Sequence, residues 1–198
     1  MSQRSDTHAP VTLEPAPGLR KQVAAELFLA VPQLAEDMQS LPPQDQHCLD
    51  FIRRLLLGLT PEEAATFMAY ALAPRHAVWW GHECLQALPD LLTPQDREML
   101  ALVAAWVAEP DEDHRYAALN AAQAATVRGP GVWLALAAAW SGGSISRAGL
   151  PAVPAPAFAL GRALNAAILS ALARVPQDRR SRMLGHYVNM GEVLAKSG

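Results

Sequence analysis

The chain is short of charge: only 18% of its 198 residues are charged, and the net charge is −3. That excludes the broad basic footprint that nucleic-acid binding requires. The one basic cluster, Arg179, Arg180 and Arg182, is short and sits in an acidic background. Aromatics make up 6%, and Val, Ile and Thr never alternate in long runs, so no half-buried sheet is signalled. Only two cysteines occur, Cys48 and Cys84, both inside apolar helical patterns. They read as buried free thiols in a reducing compartment rather than a disulfide framework. No long uninterrupted apolar run is present. The longest such stretch, from Ala155 to Val175, contains Arg162, Asn165 and Arg174, which argues against a membrane span. The first residues are polar and form no apolar signal region, so a cytoplasmic location is expected.

What the chain has is alanine and leucine, the main contributors to a hydrophobic content of 51%. Good helix formers without strand periodicity predict an all-α fold, a single compact domain of packed helical hairpins. Residues 1–18, with Pro10, Pro15 and Pro17, read as a flexible N-terminal tail, and residues 19–198 as the helical domain. The first helix is expected over Leu19–Ala30. Two helix-start cassettes, Leu59-Thr60-Pro61-Glu62-Glu63 and Leu92-Thr93-Pro94-Gln95-Asp96, lie 33 residues apart. In each, Thr supplies the N-cap, Pro the first helical position, and the acid three residues on closes a capping box or favours the helix dipole. Their recurrence allows either a solenoid or an ordinary bundle with good caps. Further helices are expected near 94–108, 111–127, 131–140, 157–174 and 177–195. Gly131–Trp140 is apolar nearly all round, which predicts the centre of the fold.

The segment Arg75–Leu88 carries the clearest functional hint. At about 100° per residue, Ala77, Val78, Trp80, Gly81, Cys84, Leu85, Ala87 and Leu88 fill one apolar half. Arg75, His76, His82, Glu83 and Gln86 collect on the other, with Trp79 in their midst. A tryptophan is costly to leave wet, so this face is expected to meet another helix, a partner or a ligand. Stacking of Arg75 on Trp79, four residues apart, is the simplest intramolecular alternative.

Catalytic and metal patterns are missing. His76 and His82 are six apart, on different sides of the helix, and no His-Glu-x-x-His motif occurs, so neither a metal nor a cofactor is expected. Asp111, Glu112 and Asp113 beside His114 read as a helix start favoured by the dipole. Ser141-Gly142-Gly143-Ser144 lacks the Gly-x-Ser-x-Gly pattern and the Lys-Ser/Thr of a phosphate loop. There Gly142 is expected at positive φ, closing a helix. The irregular stretch through Pro151, Pro154 and Pro156 is expected to be pinned by Leu150, Val153 and Phe158.

The Ala77-Val78-Trp79-Trp80 helix, the Ala137–Ile145 segment with Trp140-Ser141-Gly142-Gly143-Ser144, and the Pro151–Pro156 run resemble a small helical family of Gram-negative bacteria. Its members are similar to accessory proteins encoded near type VI secretion genes. The resemblance implies no activity and carries over only the signature positions Trp79, Trp80, Trp140, Gly142, Gly143 and Pro156. The resulting expectation is a non-enzymatic interaction factor, an adaptor or chaperone-like accessory protein with a protein partner, possessing neither nucleic-acid nor membrane function. Its surface would comprise Arg75, His76, Trp79, His82, Glu83, Gln86 and Ser141, Gly142, Gly143, Ser144. The alternatives are an enzyme whose His76, His82 and Glu83 assemble only in three dimensions, and a purely structural oligomer with Trp79 in a symmetric contact.

Overall fold

The computed structural model describes residues 15–146 and 149–197, and among these it is all-α, with nine α-helices and no strand. In chain order they are α1 (Ala24–Ala30), α2 (Cys48–Leu56), α3 (Glu62–Ala71), α4 (Pro74–Gln86), α5 (Pro94–Ala108), α6 (Glu112–Ala124), α7 (Pro130–Ala139), α8 (Ala159–Ala173) and α9 (Gln177–Lys196). The first helix is shorter than its sequence pattern suggests. Leu19 and Val23 are spent in isolated bridges to Leu72 and His47, with bends at Arg20 and Gln22, so the chain up to α1 is irregular. Residues 1–14 of the expected tail lie outside the described residues. Ala16 and Gly18 are buried, and the Gly18 amide donates to the Ala195 carbonyl at 2.9 Å, so the packed body begins before Leu19.

The two helix-start cassettes part ways. At Thr93 the box closes: Thr93 Oγ1 accepts from the Asp96 amide and Asp96 Oδ2 accepts from the Thr93 amide, both at 3.1 Å. At Thr60 no side chain caps α3. Glu63, which would have closed that box, is buried and instead accepts from the backbone amides of Gln39 and Ser40. Tertiary demand won over local capping there.

The helices do not stack as a solenoid. In a solenoid each repeat touches only its neighbours. Here α7 packs on α5, α6, α8 and α4, and α8 reaches back to α3. The all-round apolar α7 is the central helix, as its sequence predicts, with every residue but Trp133 buried. A cluster of Phe28, Phe51 and Phe67, ring centroids 4.8–6.4 Å apart, joins α1, α2 and α3 on one flank.

Asp96 fixes where α7 begins. Its carboxylate, 1% exposed, accepts from the Gly131 amide and from Arg174 at the end of α8, both at 2.9 Å. A Cβ at Gly131 would lie 2.6 Å from the Asp96 Cα, a backbone atom that cannot step aside. Burial raises the pKa of Asp96. The Gly131 and Thr93 amides, Arg174 and the Thr93 hydroxyl outweigh it and hold the group below the ordinary aspartate value.

Asp96→Ala leaves the Gly131 amide and Arg174 without their acceptor, and is expected to cost about 3 kcal/mol in urea unfolding. The pH dependence has a definite sign. With its folded pKa below the unfolded value of about 3.9, Asp96 contributes fully above that pH and loses its contribution as pH falls through the folded value. Unfolding free energies measured from pH 6 downward should therefore fall less steeply for Asp96→Asn than for wild type.

Candidate interaction surface

Pro74 at the first position of α4 fits a helix start, where a missing amide costs nothing. The buried face of α4 is Ala77, Val78, Trp80, Gly81, Cys84 and Leu85. Trp80 Nε1 donates to the Tyr187 carbonyl at 2.7 Å, and Gly81 sits against Leu134 of α7 and Leu164 of α8. Those contacts fix the rotation of α4, and so Trp79 faces outward, 41% exposed.

Beside Trp79 lies a groove of about 710 Å³. Arg75, His76, Trp79, His82 and Glu83 form its α4 wall, Ala104, Val107 and Ala108 its apolar α5 wall, and Ser197 one end. Arg75 does not stack on Trp79. Its guanidinium donates to the Val107 and Ala108 carbonyls at 3.0 and 3.4 Å, closing the C-terminus of α5. The cation–aromatic pairs among the described residues are Arg54–Phe51, Arg115–Tyr116 and Arg162–Phe158, so the expected Arg75–Trp79 pair is not formed.

His82 departs from its position on the helical wheel. Expected on the polar face, it is only 8% exposed, because α5 closes over it. Its Nδ1 is 3.0 Å from Glu83 Oε1 and its Nε2 is 3.4 Å from Gln86 Nε2. Gln86 lines a smaller neighbouring cavity of about 290 Å³, which shares His82 with the groove.

The 141–144 loop is held by a residue from another helix. Arg115 of α6 is buried, and its Nη1 donates to the carbonyls of Ala139 and Ser144 at 2.9 and 2.8 Å. Its Nε and Nη2 donate to Glu112 at 2.7 Å each, and that carboxylate holds the guanidinium pKa above its ordinary value. Ser144 Oγ then accepts from the amides of Ser146 and Val153, so a polar clamp secures the loop. Leu150 and Val153, expected as anchors, are 61% and 46% exposed. Phe158 is partly buried as expected. Gly143, at φ 60°, takes the left-handed position expected of Gly142. Ser141, Gly142 and Gly143 line a separate cleft of about 270 Å³ with Arg20 and Pro74, beside the start of α4.

The model of a family of unknown function, DUF6931, matches residues 51–195. The chain belongs to that family. No curated protein and no solved structure matches it. In this DUF6931 member the matched span includes the whole of α4, its groove up to α5, and the clamped loop.

Arg75, His76, Trp79, His82 and Glu83 thus line one groove, Gln86 borders it, and the loop residues stand apart. Cys48 and Cys84 are buried and free; burial pushes the Cys48 thiol up to about 12 and the Cys84 thiol well up, which makes both poor nucleophiles. Asp111 caps α6 by accepting from the His114 amide at 2.8 Å and meets the His114 ring at 2.9 Å. Glu109 joins them in a surface cluster, while Glu112 is committed to Arg115. Sequence reading missed the Arg115 clamp and an apolar groove of about 430 Å³ lined by Trp133, Trp140, Ile145, Pro156 and Phe158. The seven-residue spacing of the two tryptophans was the available signal for the latter. No helix among the described residues is long and apolar enough to cross a membrane.

Gly143 and Gly142 should respond oppositely to substitution. A side chain at Gly143 faces both a positive φ and contact with Arg115 and Glu112 at 2.8–2.9 Å, whereas nothing lies within 4 Å of a Cβ at Gly142. Gly143→Ala is expected to cost about 1–2 kcal/mol and lower the melting temperature by several degrees. Gly142→Ala should melt with wild type.

Proposed function

We propose that the chain is a non-enzymatic, cytoplasmic interaction factor, an adaptor or chaperone-like accessory protein of a bacterial type VI secretion system. It engages a protein partner through the Trp79 groove. The observation that carries this reading is the half-exposed Trp79 beside an apolar α5 wall, held outward by its buried neighbour Trp80. Large rigid aromatics of this kind supply most of the energy at protein interfaces. The polar rim of Arg75, His76 and Glu83 surrounds it, as an interface rim does. The secretion-system assignment rests on the resemblance of the Trp140–Ile145 and Pro151–Pro156 segments.

The His82–Glu83 contact is the one feature that favours an enzyme, since a carboxylate orienting an imidazole is part of many general bases. Gln86 Nε2 lies 3.4 Å from the other ring nitrogen, however, so both nitrogens of His82 face side chains of its own helix. The chain of three side chains is fully explained as a satisfied buried histidine.

Affinity purification of wild type and Trp79→Ala from the native cell, read by quantitative mass spectrometry, tests the proposal. Secretion-cluster proteins should be enriched by wild type and lost with Trp79→Ala, a loss of about 2 kcal/mol or more in binding. The variant should melt close to wild type. A large drop in melting temperature would make Trp79 a core residue, and a stable variant that retains capture would reject the groove. Dimerisation abolished by Trp79→Ala would favour the structural oligomer.

A further inference from the structure

Helix α9 opens on a cluster of arginines, Arg179, Arg180 and Arg182, with Asp178 as the acid of its first turn. Arg180 is explained by the fold: it donates to the Val175 and Ala173 carbonyls at 2.9 and 2.8 Å, closing the end of α8. Arg179 and Arg182 are exposed, and no ion pair or hydrogen bond among the described residues holds either side chain. Folding therefore gains nothing from their charge.

These two arginines belong to a longer stripe. At about 100° per residue, Arg179, Arg182, Met183, His186, Met190 and Val193 lie within one arc of about 100°. The opposing side, with Leu184, Tyr187, Val188, Gly191 and Leu194, is buried. The stripe is about 21 Å long at 1.5 Å per residue. Its first half is cationic, around a surface depression of about 550 Å³ lined by Arg179, Arg182, Met183 and His186, and no acid lines it. Its second half is apolar, with Met190 partly buried and Val193 61% exposed.

We infer that this face of α9 is a docking strip for an amphipathic helix of a partner protein, with carboxylates over Arg179, Arg182 and His186 and apolar side chains over Met190 and Val193. Charge complementarity names the acidic half, since an anion there satisfies two free guanidinium groups and the helix dipole together. The apolar half sets the register. An anionic membrane fits less well: Asp178 flanks the stripe, and the chain as a whole is negative. The strip shares no lining residue with the Trp79 groove, which reaches the end of α9 at Ser197, and it does not depend on that reading.

The test uses the full chain, isotope-labelled for amide NMR. The probe is a synthetic helical peptide with glutamates at i, i+3 and i+7 and leucines at i+11 and i+14, alongside its lysine-for-glutamate twin, polyglutamate and phosphatidylglycerol vesicles. The acidic peptide should shift amides of 179–193, and R179E/R182E should weaken it at least about tenfold. M190N should weaken it several-fold, and W79A should leave it unchanged. Absence of binding, shifts centred elsewhere, equal binding of the lysine twin or polyglutamate, or binding to vesicles in preference would overturn the inference. R179Q/R182Q, which removes charge without reversing it, should fall between wild type and R179E/R182E with an unchanged melting temperature.

Discussion

A buried carboxylate is tolerated in a protein interior only when its oxygens are met by donors, and Asp96 is met by four: the Thr93 amide and hydroxyl, the Gly131 amide and Arg174. Those donors come from the start of α5, the start of α7 and the end of α8. One side chain thus sets the relative positions of three helices that form the middle of the bundle. Because α4 rests on α7 and α8 through Gly81, the same constraint is transmitted to the candidate surface. Displacing α7 would move the floor on which α4 lies and with it the groove beside Trp79.

The pair Trp79–Trp80 shows how one helix serves packing and presentation together. Adjacent residues on a helix point about 100° apart, so burial of one indole leaves the other at the boundary. Trp80 is fully buried, with its Nε1 proton bonded to the Tyr187 carbonyl. Trp79 inherits a fixed direction from that anchor. A docking tryptophan whose backbone is already immobile loses less entropy on binding than one on a loop.

Much of this arrangement was legible in the sequence. Apolar periodicity gave the all-α class, and the all-round apolar character of Pro130–Ala139 placed it at the centre. The Thr93 cassette announced its helix start because its chemistry is local, spanning three residues. The Thr60 cassette also announced its helix start, α3 beginning at Glu62, but its box stays open because Glu63 accepts from Gln39 and Ser40, more than twenty residues away. The wheel correctly grouped Arg75, His76, Trp79 and Glu83, yet it treated His82 as wet, since periodicity does not reveal which flank a neighbouring helix will cover. The loop after Trp140 was expected to be held by Leu150, Val153 and Phe158; Phe158 alone of these packs on the core, and Arg115 holds the loop backbone. A single arginine in α6 gives no sequence signal of the two carbonyls it will bind, one of them in a loop 29 residues on. Likewise, two successive glycines do not say which one takes the positive φ.

The irregular segment before α1 bears on the order in which the chain folds. Gly18 bonds to Ala195 and to Ala73, so an early stretch of the polypeptide finds part of its place only when the last helix is present. Contacts of such high sequence separation are the slowest to form, because the intervening chain must first be ordered. As translation proceeds from the N-terminus, α2 to α8 can assemble around α7 while residues 16–18 wait for α9. Joining of the first and last described segments is then expected to be a late event of folding.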